Sequence, residues 1–148
     1  EEDNPYVDDD ASGFRLPTSD EWELAARFIE DANDDGDIED DDEYYPGTYA
    51  SGATDDIKNN SATEAVAWSP GFSGGTSAVA EQDANALGVH DMTGNVNEWN
   101  FDAAGTGRVT RGGSWGSDAE FLKLGRFGTG PPFERYKYDG LRTARNAE

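Results

Sequence analysis

The sequence LPTSDEWELAARFIED, residues 16–31, has the pattern of an amphipathic helix with its own start signal. Thr18 is a preferred N-cap residue, and Glu21 follows three positions later, as a capping box requires. The apolar residues then recur at helical spacing and predict one buried face: Trp22, Ala25, Ala26 and Ile29. We therefore predict a helix here that packs on the core.

The rest of the chain predicts little regular structure around that helix. After Val66 the apolar residues come in short pieces separated by Gly, Asn, Asp or Pro. RVTRGGSW (residues 108–115) and GLRTAR (residues 140–145) have the composition of short strands. A chain of 148 residues is long enough for one core, so residues 1–148 are predicted to form a single α+β domain. It should have one or two helices, short antiparallel strands and a high irregular content.

The charge of the chain excludes several partners. The net charge of -21 repels nucleic-acid backbones and anionic membranes, and no apolar run is long enough to insert into a membrane. The excess is uneven: residues 1–107 hold 27 acids and three bases, whereas residues 108–148 hold five acids and eight bases. The C-terminal part is thus expected to have a different role. There is no cysteine for a disulfide, a thiolate metal site or a nucleophile.

Residues 31–60 are acidic and rich in Gly and Asn, which predicts a loop or insertion over the surface. Within it, DANDDGDIEDDD (residues 31–42) matches the spacing of a helix-loop calcium site, with Gly36 at the sharp turn. The ligands would be Asp31, Asn33, Asp35, Asp37 and Asp42. The alternative is a solvated acidic loop, in which such aspartates match the pattern by chance.

Four segments together resemble the formylglycine-generating-enzyme, or sulfatase-modifying factor, family. They are FRLPTSDEWELAAR (residues 14–27), NALGVHDMTGNVNEW (residues 85–99), RVTRGGSW and GLRTAR. Their order and separations over residues 13–145 are similar to those of the family. The resemblance implies a C-type-lectin-like fold of the sulfatase-modifying type.

The resemblance does not bring the catalytic activity with it. Formylglycine generators hold copper with a pair of cysteines, and related iron enzymes use a histidine cluster, whereas this chain has no cysteine and only His90. We therefore expect neither copper nor iron, and no enzyme. Many relatives bind calcium at the segment DMTGNVNEW, which implies a second calcium site at Asp91, Gly94, Val96 and Glu98. The alternative is that the two acids only satisfy backbone donors in a tight turn.

The chain is more similar to another branch of this fold, the variable proteins of diversity-generating retroelements. In that branch adenine-targeted mutagenesis rewrites a C-terminal ligand-binding surface, which implies a variable region at residues 97–145. Asn97 and Asn100 would be unmutated template positions. The residues that mutated Asn codons can produce are Gly116, Ser117, Asp118, Phe121, Phe127, Gly128, Thr129, Gly130, Phe133, Tyr136 and Tyr138.

The composition of GRFGTGPPFERYKYDG, residues 125–140, supports the same surface on physical grounds. Tyr and Phe give large, rigid contact area, and Gly, Ser and Thr adapt around them, as in antibody paratopes. The alternative is that some rings, such as Phe121, belong to the core. We predict a non-enzymatic protein that binds a protein or cell-surface ligand and is displayed outside the cell, on a cell surface or virion. A divergent formylglycine-generating-type enzyme and a calcium-dependent glycan-binding module are the other hypotheses.

Overall fold

The computed structural model describes residues 13–30, 44–68 and 74–145. This part of the chain contains two α-helices, a four-stranded sheet and long irregular connections, which confirms the predicted fold class. The elements are α1 (Ser19–Arg27), α2 (Asn60–Glu64), β1 (Asn97–Ala104), β2 (Gly107–Arg111), a 3₁₀-helix (Ala119–Leu122), β3 (Phe127–Gly130) and β4 (Asp139–Leu141). Among the described residues, no helix has the length and apolar character needed to cross a membrane.

Helix α1 begins as the sequence predicts. The Thr18 hydroxyl accepts a hydrogen bond from the Glu21 amide at 3.1 Å, and the Glu21 carboxylate accepts one from the Thr18 amide at 2.8 Å. Trp22 and Ala26 are buried. The helix ends at Arg27, earlier than the apolar spacing indicates, and Phe28 after it is buried in place of Ile29.

The capping box predicts a pH dependence of stability. Hydrogen bonds and an ion pair with Arg15 lower the pKa of Glu21 from 4.5 to about 2, with a further contribution from the Thr18 amide. Because the folded pKa lies below the unfolded one, this stabilisation is complete above about pH 4.5 and is lost as the pH falls towards 2. In Glu21→Gln, urea unfolding between these pH values should vary less with pH than in the parent. An unchanged slope would contradict the assignment.

The sheet has the strand order β3-β2-β1-β4. β1 pairs with β2, and β2 with β3, in antiparallel fashion, but β4 pairs with β1 in parallel, which differs from the predicted antiparallel strands. In this order β3 and β4 lie at opposite edges of the sheet and run in the same direction, so they are not joined as an antiparallel pair. Residues 131–138 must therefore cross from one edge to the other, and this crossing segment cannot form a hairpin.

The core contradicts part of the predicted surface loop. Residues 31–43 lie outside the described residues, but residues 44–60 supply Ala50, Ala53 and Ile57, which are buried with Leu122 from the 3₁₀-helix. Two alanines and one isoleucine give a weak hydrophobic signal in a polar stretch, so composition alone favoured a loop over the surface. A second cluster is formed by Trp22 and Ala26 of α1 with Met92 and Leu124, which lie in the connections before β1 and before β3.

Two partly buried arginine-carboxylate pairs connect the helix, the sheet and the C-terminal segment. Arg142 contacts both carboxylate oxygens of Glu98 at 2.7 to 3.1 Å, and Trp22 donates its indole N–H to the same carboxylate at 2.6 Å. Arg111 pairs with Glu23 of α1 at 2.8 Å. Each pair joins segments that are distant in sequence, so both hold the sheet in place beneath its outer face.

Candidate functional site

A cavity of about 430 Å³ lies on the outer face of the sheet. The alternation of β1 decides which side chains reach it, because successive residues of a strand point to opposite faces. Asn97 and Trp99 line the cavity. Glu98 and Asn100, on the other parity, point into the core and are 4% and 0% exposed.

The floor of the cavity continues from β1 across the neighbouring strands. Trp99 is opposite Thr110 of β2, and Thr110 is opposite Gly128 of β3, so these residues form one row on the same face. Gly128 and Gly130 lie so close to the row that an added side chain would press on it. A Cβ at Gly128 would lie 2.8 Å from the Thr110 hydroxyl, and one at Gly130 would lie 3.0 Å from the Trp99 ring.

The walls come from the two segments that the sequence analysis singled out. The loop after β2 and the 3₁₀-helix form one wall, and the segment that crosses the sheet before β4 forms the other. Most of the predicted ligand-binding residues line this cavity: Asn97, Gly116, Ser117, Asp118, Phe121, Gly128, Thr129, Gly130, Tyr136 and Tyr138. Residues from five separate parts of the chain thus meet at one place.

Three predicted ligand-binding residues lie elsewhere. Asn100 is buried, and its amide points toward the Pro17 and Thr18 carbonyl oxygens, so it is a core residue. It does not share the face of Asn97, because it lies three positions further along the strand, and odd offsets place side chains on opposite faces. Phe127 lines a small recess of about 40 Å³ beside the cavity, with Arg111 over its ring. Phe133 is 81% exposed and lines neither space.

The cavity also contains residues that the sequence analysis missed: Trp99, Thr110 and Asp139. The strand period was a signal for Trp99, since it lies two residues after Asn97. Asp139 is opposite Asn97 in the parallel pair of β4 and β1, and its carboxylate accepts a hydrogen bond from the Asn97 amide at 2.9 Å. That pairing could not be read from local sequence.

An aromatic and basic cluster supports the wall before β4. The Trp115 and Tyr138 rings lie 4.9 Å apart between centroids, and the Lys137 ammonium is 4.9 Å from each ring centroid. On the opposite wall, the Arg126 guanidinium lies 5.0 Å from the centroid of Phe121. Tyr136 donates a hydrogen bond to Glu134. The wall rings are thereby held by neighbouring charged side chains.

The residues predicted to bind calcium around Asp91 and Glu98 are partly engaged with other groups, and this calcium site stays a prediction. Both Glu98 oxygens face the Arg142 guanidinium, and one also accepts the Trp22 indole, so a cation there would displace a buried ion pair. One Asp91 oxygen accepts from the Ala80 amide, whereas the other is buried without a hydrogen-bond partner. The Gly94 bond to the Gly112 carbonyl uses the Gly94 amide and not the carbonyl that was predicted to bind calcium. Within the described ranges, no group of three or more His, Cys, Asp or Glu side chains could hold a metal.

The first calcium prediction, at Asp31, Asn33, Asp35, Asp37 and Asp42, lies outside the described residues and stays a prediction. Val96 of the second set packs beside β4, where a Cβ at Gly140 would lie 2.7 Å from one of its methyl groups. His90 has a structural partner, since its ring nitrogen Nδ1 lies 2.8 Å from the Gln82 carbonyl oxygen.

Comparisons with known proteins agree with this architecture. The chain is 31% identical to a protein named Chaperone protein LppX of Paenibacillus barcinonensis, over 95% of this chain and 52% of that protein. Among solved structures it is similar to Treponema denticola variable protein 1, with a TM-score of 0.70 and 29% identity over 94% of this chain and 50% of the other. CarF gives a TM-score of 0.68 with 29% identity, over 93% of this chain and 49% of the other.

The chain thus spans about half the length of the relatives that it matches. The family model of the sulfatase-modifying factor enzyme 1-like domain matches residues 6–147. Since this match includes α1, the whole sheet and both walls of the cavity, the protein belongs to the family of sulfatase-modifying factor enzyme 1-like domains.

Proposed function

We propose that this protein is a non-enzymatic binding protein that contacts its ligand through the cavity face of the sheet. The observation that carries the proposal is the meeting of the predicted variable residues in one cavity of about 430 Å³. Pockets of this size with aromatic walls and a few polar groups are typical ligand sites. The likeness to a protein called variable protein 1 supports the further proposal that a retroelement diversifies this surface.

The backbone of the cavity favours replaceable side chains. Gly116, Gly128 and Gly130 line it without adopting the left-handed conformation that restricts a position to glycine. Gly112 and Gly113, which follow β2 outside the main cavity, have φ values of 86° and 70°, and a Cβ added to them would lie 2.9 Å and 2.7 Å from backbone carbonyl oxygens. A Cβ at Gly116 would lie 2.5 Å from the Tyr138 ring and one at Gly128 would lie 2.8 Å from the Thr110 hydroxyl, so a larger residue there requires these side chains to move. At Gly112 and Gly113 the close neighbours include backbone oxygens and φ is positive, so substitution is opposed by the backbone itself.

The residues that hold the sheet in place are also separate from those that line the cavity. The ion pairs of Glu98 with Arg142 and of Glu23 with Arg111 lie beneath the cavity face and do not line the main cavity. A surface can change freely only if the interactions that hold its backbone come from other residues. In this fold they do, because strand alternation separates Asn97 and Trp99 from the buried carboxylate between them.

The test is to sequence the DNA around this gene and the sibling copies of the gene. We expect a near-copy of the region encoding residues 97–145 beside a reverse transcriptase, with differences only at adenines. The differing codons should fall on cavity residues and spare Glu98, Arg111 and Arg142. Differences scattered over core and cavity alike, or a constant cavity with variation elsewhere, would contradict diversification.

The exposed rings should serve binding and not stability. Tyr136→Ala and Phe133→Ala remove side chains that are 49% and 81% exposed, so each should change the melting temperature by less than about 2 °C. The matched control is Leu124→Ala in the core, which should cost about 2–5 kcal/mol. Thermal unfolding followed by circular dichroism compares the three. A loss in either ring variant similar to that of the control would make the ring a core residue.

The proposal also implies a class of ligand and a location. We expect a protein or cell-surface ligand, which would place this protein outside the cell, on a cell surface or virion. The overall charge of -21 makes a nucleic-acid ligand unfavourable.

A further inference from the structure

We infer that the cavity binds a cationic side chain, arginine or lysine, presented by a protein partner. This inference rests on the proposed function and names the chemistry of the ligand. Its first support is the charge of the lining. Within the part of the chain that the structure describes, the residues that line the cavity include the acids Asp118 and Asp139, the second already accepting from the Asn97 side chain, and include no arginine, lysine or histidine. A positive group entering it meets attraction from both acids.

Asp118 offers its carboxylate to the cavity in an unusual way. It stands at the N-cap of the 3₁₀-helix Ala119–Leu122, where an aspartate normally accepts a hydrogen bond from the first turn. Here its side chain makes no capping hydrogen bond, and the residue lines the cavity instead. The local stabilisation that a cap provides is forgone, which leaves acceptor oxygens for a ligand.

The aromatic walls suit the same kind of ligand. Arginine and lysine are attracted to the faces of aromatic rings within about 6 Å of the centroid. Two wall rings already hold basic groups of this chain in that geometry, with Arg126 over Phe121 and Lys137 over Tyr138. Among the described cation-ring contacts, none uses Trp99 or Tyr136, so these two lining rings are available to a partner's cation.

A further acid adds to the negative charge around Tyr136. The Tyr136 hydroxyl donates to the Glu134 carboxylate, which places this acid beside a wall of the cavity. At longer range, the net charge of -21 attracts basic partners and repels acidic ones, although this excess lies in residues 1–107 and residues 108–148, which supply most of the lining, hold eight bases and five acids. Arg126 and Lys137 oppose this at the rim, but each lies over a ring and neither lines the cavity.

The surroundings of the cavity indicate a protein partner and not a free small cation. Phe127 and Phe133 are exposed outside the cavity, and a single guanidinium group would not cover them. Exposed aromatic residues around a central pocket are typical of protein interfaces, in which an arginine often serves as the anchor. The partner would insert one basic side chain and rest its flanking residues on these rings.

The experiment compares two blocked pentapeptides, Gly-Gly-Arg-Gly-Gly and the same peptide with neutral citrulline in place of arginine. Titration is followed by NMR at the Trp99 indole N–H and the Thr129 amide, at two salt concentrations. The arginine peptide should bind at least about tenfold more tightly than the citrulline peptide, and the difference should shrink as salt rises. N-methylguanidinium chloride and a methyl glycoside serve as the small-cation and sugar probes.

Three variants assign the effect to the cavity. Asp118→Asn and Tyr136→Leu should each weaken the arginine peptide about three- to tenfold and leave the citrulline peptide unchanged. Both parent residues are exposed, so the variants should fold. Glu81→Gln removes one exposed acid that does not line the cavity, and it should have no effect.

Equal binding of both peptides, or shifts at Trp99 only with the glycoside, would overturn the inference. If N-methylguanidinium binds as tightly as the peptide, the ligand is a free small cation, and the inference of a protein partner is overturned. The absence of shifts with every probe would also overturn it. None of these results affects the sequencing test of a diversified surface, so failure of this inference and failure of the proposed function are distinguishable.

Discussion

Arg142→Ala is expected to lower the free energy of unfolding by about 3–5 kcal/mol, because it leaves the buried Glu98 carboxylate without its guanidinium partner. Trp22 would still donate to that carboxylate, but one indole N–H does not compensate a buried charge. For a chain of this size the loss corresponds to roughly a 10 °C fall in melting temperature. Urea unfolding of the parent and the variant measures it directly.

The matched control is Arg135→Ala, since Arg135 is an exposed arginine of the crossing segment and its loss should change stability by less than about 0.5 kcal/mol. A double-mutant cycle of Arg142→Ala with Glu98→Gln isolates the pair. The double variant should be less destabilised than the sum of the single variants, because the second change removes the uncompensated charge. Strict additivity would show that the two side chains do not act as a pair.

Gly94→Ala should be the most damaging of the single-methyl additions, with a loss above about 3 kcal/mol. Gly94 has a φ of 81°, and a Cβ there would lie 2.2 Å from the Trp68 carbonyl oxygen and 2.8 Å from the Trp68 nitrogen. Both contacts are with backbone, which cannot rotate away as a side chain can. The backbone at Gly94 would have to move away from the backbone at Trp68, which would break the isolated bridge between these two residues.

Gly88→Ala separates the two causes of this loss. Gly88 has a similar φ of 73°, but a Cβ added there would have no other atom within 4 Å. Its substitution carries the conformational strain without the collision and should cost only about 1 kcal/mol. Thermal and urea unfolding of both variants provide the comparison. Equal losses at the two positions would mean that strain alone, and not the approach of Trp68, limits Gly94.

The sequence predicted the parts of the fold that depend on local pattern. The capping box of Thr18 and Glu21 fixes the start of α1 within four residues of chain, so periodicity was enough to find it. The parallel pairing of β4 with β1 was not predictable in this way, because it depends on where the crossing segment returns to the sheet. The burial of Ala50, Ala53 and Ile57 was missed for a similar reason, since small side chains become core only through what packs on them.

In the candidate site, too, the residues that were missed depend on strand orientation and long-range pairing. The candidate residues came from the resemblance to variable proteins, with support from composition for the tail, and neither shows to which face of a strand a residue points. Asn100 was therefore predicted at a surface from which it points away. The reverse error left out Trp99, which shares the face of Asn97. Asp139 was missed because its contact with Asn97 joins residues far apart in the chain. Strand alternation, applied to β1 once its register was known, corrects the first two of these errors.

The glycines on β3 have a consequence for the shape that a partner meets. The depth of the cavity at Gly128 and Gly130 comes from missing side chains, since both positions lie over the Thr110 and Trp99 floor on ordinary backbone. Larger residues there would push the Thr110 hydroxyl and the Trp99 ring aside, fill the hollow and turn the same sheet face flat or convex. The same scaffold could then present either a concave surface for a protruding ligand or a flat surface for a flat ligand, with the strand backbones unchanged.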